Sequence, residues 1–158
     1  HLATVANVAA IFSGALRDLG DWYEVCCYTS DGATVDLSGR QPTRPDAAPL
    51  SYTVLATPEK PLSLSGVGTG GDTPSGEAVA TASIRLAARP ERRKLLIYFT
   101  DGYSDDHRVL SAATYLAAQL GVAVLTISVQ YEVVGRCRVI GDVSELPQAM
   151  EELLRELY

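Results

Sequence analysis

Lys94-Leu95-Leu96-Ile97-Tyr98-Phe99-Thr100-Asp101-Gly102 is the stretch of this sequence that decides its fold class. Its central part, Leu95 to Phe99, is an apolar run without charged residues. Such a run is typical of a strand buried on both faces of a parallel sheet. Asp101 follows the run after one residue, and Gly102 then turns the chain. We therefore expect the Asp101 carboxylate at the carboxyl edge of a central strand, where sheets of this kind bind ligands.

Helical and strand patterns alternate on both sides of this run. We expect helices over residues 2–19, 75–88, 105–119 and 144–157, and strands over residues 22–28, 50–56, 94–100, 122–129 and 138–140. Residues 31–49 are rich in proline and residues 63–71 in glycine, so both read as loops. The alternation predicts an α/β fold with a doubly wound, mostly parallel sheet flanked by helices.

Two helix ends carry recognisable signals. Gly20 ends the first helix, and Ser144 is the expected N-cap of the last. The apolar spacing predicts which side chains of these helices face inward: Leu2, Val5, Ala9, Phe12, Leu16 and Leu19 in the first, and Leu146, Met150, Leu153, Leu154 and Leu157 in the last.

Composition sets the class of protein. The chain has 158 residues, 47% of them apolar, and a formal charge of −6, which predicts one globular domain over residues 1–158. The acidic balance disfavours nucleic-acid binding and favours cations. No apolar run approaches the roughly 20 residues that span a bilayer, so we expect a protein that binds no membrane.

The three cysteines, Cys26, Cys27 and Cys137, have no metal-ligand spacing. We therefore expect buried thiols in a cytoplasmic protein.

A hydroxyl and a carboxylate are expected to meet at the carboxyl edge of the sheet. Thr73 stands just before the helix predicted over 75–88, and Asp101 ends the strand that follows. Oxygen ligands of this kind suit Mg²⁺, which keeps several waters and needs few protein groups. Each residue also has an ordinary structural role, since Thr is a common N-cap and Asp-Gly a common turn.

Several segments resemble the von Willebrand factor A domain. They are Thr73 to Ala78, Arg89 to Leu96, Thr100 to Asp106, Val139 to Met150, and the opening helix with Cys27-Tyr28-Thr29. The nearest likeness is to the C-terminal A domain of CobT-type cobaltochelatase subunits. The likeness covers most of the chain, although residues 31–69 align only loosely.

The resemblance implies a metal-ion-dependent adhesion site with Mg²⁺ or Mn²⁺ as its cofactor. In this family the site combines an Asp-x-Ser-x-Ser motif with a loop Thr and a distal Asp, which Thr73 and Asp101 match. In the family the motif lies on a strand before the first helix, which this sequence does not contain, so we expect a fragment of a longer chain. The alternative is that this strand is absent and another segment or chain takes its place. Asp36-Leu37-Ser38-Gly39-Arg40 echoes the motif, but it has Arg40 in place of a serine and follows the first helix, so we interpret it as a decoy.

What the resemblance implies about function is a non-catalytic, metal-dependent protein-binding module. Its partners would be an AAA+ ATPase subunit and the large catalytic subunit of a cobaltochelatase in cobalamin synthesis, with an acidic residue of a partner at the metal. An A domain serving a MoxR-type AAA+ ATPase is the alternative within the family. An A domain that binds partners without metal is a further alternative.

A different class of function is an α/β enzyme that uses Asp101 on a phosphoester or nucleotide. The string Gly66-x-Gly68-x-x-Gly71 satisfies a dinucleotide fingerprint, but the segment before it is short and polar, so we interpret it as a flexible loop.

Two clusters of charged residues have ordinary structural interpretations. Asp105 and Asp106 suit the positive end of the helix that they open, and we expect His107 to be exposed. Arg89, Arg92, Arg93 and Lys94 form a basic turn that is either a solvated surface or a docking point for an acidic partner.

Overall fold

The computed structural model describes residues 2–30, 50–64, 73–101, 106–129, 131–133 and 135–155, without the side chains of 2–6, 30 and 143. The chain divides into two compact units, His1–Asp72 and Thr73–Tyr158, which are described separately. Residues 31–49, with the Asp36 to Arg40 segment, and the glycine string of 66–71 lie outside the described residues, as does Asp105. The predictions made for them stay predictions.

The first unit contains one helix and an antiparallel strand pair. Helix α1 spans Leu2–Leu19, strand β1 Val25–Ser30 and strand β2 Leu50–Ala56. The strands pair from Val25 opposite Ala56 to Ser30 opposite Leu50, with an irregularity after Val25. Gly20 ends α1 as predicted, because it has a φ of 77° that a side chain would disfavour.

Two expectations for the first unit are wrong in detail. Strand β1 begins at Val25 rather than Trp22, because its pairing with β2 begins at Val25, opposite Ala56, the last residue of β2. In α1, the predicted inward residue Leu19 is 74% exposed, whereas Val8 and Ser13 are buried. The apolar residues of α1 are spread widely enough around the helix that the sequence pattern does not determine which face packs inward.

The second unit contains a parallel sheet flanked by helices. Its elements are α2 (Ser75–Ala87), β3 (Lys94–Thr100), α3 (His107–Gln119), β4 (Val122–Ser128), β5 (Cys137–Val139), a short 3₁₀ turn (Val143–Glu145) and α4 (Leu146–Arg155). The strand order is β3-β4-β5, and both pairs are parallel. The structure thus confirms the α/β class and a parallel three-stranded sheet with helices around it.

Burial differs between the two long strands of this sheet. In the central strand β4, Leu125 and Ile127 are fully buried, as predicted for a strand covered on both faces. In β3, which lies at the edge of the sheet among the described residues, Leu95 to Ile97 are only half-buried. The expectation that β3 is buried on both faces is therefore wrong for these residues, because a strand with one neighbour is less covered than a central one.

Helix ends in the second unit follow local capping. Helix α3 begins at His107, and Gly121, with a φ of 72°, follows its end as predicted. Ser144 is not the N-cap of a helix; it lies in the 3₁₀ turn, where its N–H donates to Asp142 Oδ1 at 2.8 Å. Of the predicted inward residues of α4, Leu146, Met150 and Leu153 are buried and Leu154 is half-buried, while Leu157 lies outside the described residues.

None of the described helices has the length and apolar character needed to cross a membrane.

Helices α2 and α3 approach each other closely at Gly76. A Cβ added to Gly76 would lie 2.5 Å from Val109 Cγ1, 2.6 Å from the Val109 carbonyl carbon and 2.7 Å from Leu110 N. Two of these atoms belong to the backbone of α3, which cannot move without shifting the helix. Gly76 therefore sets how near the first turns of the two helices come.

We expect Gly76→Ala to destabilise the protein by about 1–3 kcal/mol, because the added methyl group forces α2 away from α3. The matched control is Gly14→Ala in α1, where an added Cβ meets nothing within 4 Å. This control should stabilise the helix by about 0.5–1 kcal/mol through its backbone entropy. Urea unfolding measures both changes, and equal effects of the two substitutions would contradict the close approach at Gly76.

Candidate functional site

Asp101 lies at the carboxyl edge of the parallel sheet. It is half-buried and directly follows Thr100, the last residue of β3. Thr100 pairs with Ser128, the last residue of β4. The N–H of Val129 donates to the Thr100 carbonyl at 3.0 Å and extends this contact past the ends of both strands. Asp101 therefore lies at the carboxyl edge of the sheet, as the sequence predicts. The expectation that it follows a central strand is wrong for the described residues, because β3 is the outer strand of the order β3-β4-β5.

Thr73 precedes α2 in a tight turn. Its carbonyl accepts hydrogen bonds from the N–H of Ser75 at 2.7 Å and from Ser75 Oγ at 3.4 Å. The N-cap of α2 is Pro74, which has no side-chain oxygen, so the ordinary role of Thr73 as an N-cap is not the one adopted. The Thr73 side chain is half-exposed.

A buried hydrogen bond connects the start of α2 to β3. The Tyr98 hydroxyl donates to Ser75 Oγ at 2.7 Å. Ser75 has no exposed surface and Tyr98 has 6%. Ser75 is two residues after Thr73, and Tyr98 is three residues before Asp101. Because of this bond, the turn that contains Thr73 and the strand end that delivers Asp101 lie at the same edge of the sheet. A cation shared by the two side chains stays a prediction.

Helix α3 also begins at this edge. Asp106 is its N-cap and accepts hydrogen bonds from the N–H groups of Arg108 at 2.8 Å and Val109 at 3.4 Å. His107 is exposed. These findings confirm the structural interpretation of Asp106 and His107 as the opening of a helix. Since α2 and α3 both begin here, the positive ends of two helix dipoles favour negatively charged groups at this edge.

Three polar residues near the candidate site were not singled out from the sequence. Ser75 and Tyr98 hold α2 to the sheet, and the fully buried Ser128 accepts a hydrogen bond from the N–H of Tyr131 at 3.3 Å. The available signal was weak: Tyr98 and Ser128 are hydroxyl residues near the carboxyl ends of two apolar strands, and each strand has a second hydroxyl residue beside them. These residues hold the start of α2 against β3 and the chain after β4 against the end of that strand.

The donor chemistry at this edge fits a hard divalent cation. Thr73 and Asp101 offer a hydroxyl and a carboxylate oxygen, which are ligands that Mg²⁺ and Mn²⁺ accept. Among the residues with described positions, no group of three or more His, Cys, Asp or Glu side chains is arranged to hold a metal ion. A cation at Thr73 and Asp101 would therefore need further oxygen ligands besides these two side chains.

The cysteines differ from one another in burial. All three are free thiols, but only Cys137 is buried, whereas Cys26 and Cys27 are half-buried. Burial raises the pKa of the Cys137 thiol above its usual value, although the N–H of Val133 donates to its sulfur at 3.5 Å and opposes the shift. Burial also raises the pKa of Cys27. Both of these thiols are thereby kept protonated and poorly nucleophilic at neutral pH.

Comparison of the chain with protein-family models, with curated proteins and with solved structures found no match. A function for the site is therefore inferred from the residues and geometry of this chain.

We expect Tyr98→Phe to destabilise the protein by about 1 kcal/mol, because Ser75 Oγ loses a buried hydrogen-bond donor. In a double-mutant cycle with Ser75→Ala, the two effects should be coupled by about 0.5–1 kcal/mol. Urea unfolding of the four proteins measures the coupling. Tyr115→Phe is the control, since Tyr115 is 69% exposed and should change stability by less than about 0.5 kcal/mol. Strictly additive effects of Tyr98→Phe and Ser75→Ala would contradict the bond.

Proposed function

We propose that this chain is a divalent-cation-dependent protein-binding module of the von Willebrand factor A type. In this proposal, Thr73 and Asp101 contribute oxygen ligands to Mg²⁺ or Mn²⁺, and an acidic side chain of a partner protein completes the coordination. The observation that carries the proposal is the buried hydrogen bond from Tyr98 to Ser75, which holds the Thr73 turn at the sheet edge where β3 delivers Asp101.

The chemistry of such a site is binding rather than bond cleavage. A cation held by few protein oxygens supplies open positions to which the carboxylate of a partner can bind. The residues of this chain hold the loops in place: Gly76 brings the first turns of α2 and α3 together, and Asp106 anchors the start of α3. A prearranged site of this kind lowers the entropic cost of binding.

For the wider assembly, we propose an accessory role beside an AAA+ ATPase and the large subunit of a cobaltochelatase in the cytoplasm. The support is the sequence resemblance, which includes Thr73 to Ala78 before α2, Thr100 to Asp106 after β3, and the tail from Val139 to Met150. In this role the present domain performs no catalysis itself. An A domain that serves a MoxR-type ATPase would use the same residues.

We expect Mn²⁺ to bind the protein, as measured by electron paramagnetic resonance, and Mg²⁺ to compete for the same site. Thr73→Val and Asp101→Asn should each weaken Mn²⁺ binding by at least about tenfold, because each removes an oxygen ligand. The matched control is Asp21→Asn, which neutralises an exposed carboxylate in the first unit and should leave Mn²⁺ affinity unchanged.

Two other results would contradict the proposed cation site. Mn²⁺ affinity that is the same in Thr73→Val, Asp101→Asn and the unaltered protein would leave a module that binds partners without metal. Asp101-dependent hydrolysis of a phosphoester or nucleotide would indicate an enzyme instead. Circular dichroism of each variant establishes that its fold is retained.

A further inference from the structure

Strand β2 has a composition that favours pairing along both of its edges. Its seven residues, Leu50–Ala56, include no charged residue, no proline and no glycine. Uncharged segments of this length that are rich in aromatic and β-branched residues pair readily with copies of themselves when an edge is accessible. Among the strands that the structure describes, β1 is the only partner of β2. What covers the opposite edge of β2 therefore decides whether this strand can pair with another chain.

A bulge interrupts β2 near its end. Val25 lies opposite Ala56 and Cys26 lies opposite Val54, so no residue of β1 is opposite Leu55. Leu55 is buried, with 6% of its surface exposed. A buried backbone carbonyl without a partner is costly, so the carbonyl of Leu55 requires a donor from outside β1.

The donors come from the chain that follows β2. We define the edge turn as residues 57–63. The N–H of Ser63 donates to the Leu55 carbonyl at 3.2 Å, and Lys60 Nζ donates to the Val54 carbonyl at 2.6 Å. The edge turn thus occupies two backbone acceptors at the bulge, and a strand from another chain would have to displace it to reach them.

Local hydrogen bonds hold the edge turn closed. Thr57 and Lys60 exchange two backbone hydrogen bonds, at 3.0 Å and 3.1 Å. Thr57 Oγ1 also accepts a hydrogen bond from the N–H of Lys60 at 3.1 Å and donates to Glu59 Oε2 at 3.0 Å. Pro58 and Pro61 have no N–H, so neither can donate to an approaching strand. These bonds keep the Lys60 side chain within reach of β2.

We propose that the edge turn prevents β2 from pairing with β2 of a second copy of this chain. Natural proteins block edge-to-edge pairing with lysine, proline and bulges at the edge of a sheet. Lys60, Pro61 and the bulge at Leu55 bring all three to the end of β2. The excluded partner is a second copy because β2 carries no charge that would repel its own sequence, and two antiparallel copies are related by a twofold axis.

This device goes beyond the proposed cation site. It concerns residues of the first unit only, whereas Thr73 and Asp101 belong to the second unit. Self-association through β2 requires no metal ion, so EDTA should not alter it. The two proposals can therefore fail separately.

The test is the oligomeric state of the full chain, measured by sedimentation velocity over a range of protein concentrations in EDTA. The altered protein carries Lys60→Met, which removes the ammonium donor, and Ser63→Pro, which removes the N–H. We expect this double variant to lower the dissociation constant of a dimer by at least about tenfold, because both acceptors at the bulge become available to a second chain.

The matched control is Arg17→Met combined with Ser63→Ala. Arg17→Met removes an exposed positive charge from α1, and Ser63→Ala keeps the N–H that donates to Leu55. This control should leave the dissociation constant within about twofold of that of the unaltered protein, because both donors to β2 remain.

Thr53→Lys tests whether the dimer forms through β2. Thr53 is exposed and is the middle residue of β2, so two antiparallel copies of the strand bring the two lysines opposite each other. Like charges in this position repel. Added to Lys60→Met and Ser63→Pro, Thr53→Lys should therefore restore the monomer. Circular dichroism of every variant checks that the helices and strands are retained.

Three results would overturn the proposal. They are a dissociation constant that Lys60→Met with Ser63→Pro leaves unchanged, an equal change in the matched control, and self-association that persists after Thr53→Lys is added. If the double variant does not fold, Lys60→Met alone provides the same test, since it leaves the backbone of the edge turn intact.

Discussion

The parallel pairing of β3 with β4 determines which residues of the second unit lie at each edge of its sheet. The register runs without interruption from Lys94 opposite Val122 to Thr100 opposite Ser128. Parallel strands bring all carboxyl ends to one edge and all amino ends to the other. Asp101 and the starts of α2 and α3 therefore share one edge, and the basic turn lies at the other. A shift in this register would move Asp101 away from the end of β4.

Two contacts hold α2 against its neighbours in this unit. Gly76 allows α2 to approach the backbone of α3, and the bond from Tyr98 to Ser75 fastens the first residue of α2 to the sheet. The first contact is steric and depends on a missing side chain. The second is polar and, being buried, would leave an oxygen without its donor if it were broken. Both act at the carboxyl edge, where they constrain the start of α2 beside the candidate site.

The carboxyl edge holds both a candidate metal ligand and the positive ends of two helices. At the carboxyl edge, Asp101 and the helix starts combine an oxygen ligand with backbone that favours anions, which matches a cation that bridges to a carboxylate.

Much of this arrangement could be predicted from the printed residues. Strands β2 and β3 were predicted to the residue, because turns and prolines bound short apolar runs there. The parallel sheet and the position of Asp101 at its edge followed from the unbroken apolar run that precedes it. The end of β4, the start of α3 and the first residue of β5 were each predicted within two residues. The limits of these elements could be predicted because they depend on turn residues and on the spacing of apolar residues nearby in the sequence.

Other features were decided only in the folded molecule. The limits of β1 depend on pairing with β2, the exposure of Leu19 depends on which face of α1 packs inward, and the half-burial of Leu95 to Ile97 depends on the place of β3 in the sheet. The bond between Ser75 and Tyr98 joins residues 23 positions apart. The sequence by itself determined the periodic elements and the candidate ligands. Tertiary structure decided which of them meet, because such contacts join residues that are distant along the chain and leave no periodic pattern in it.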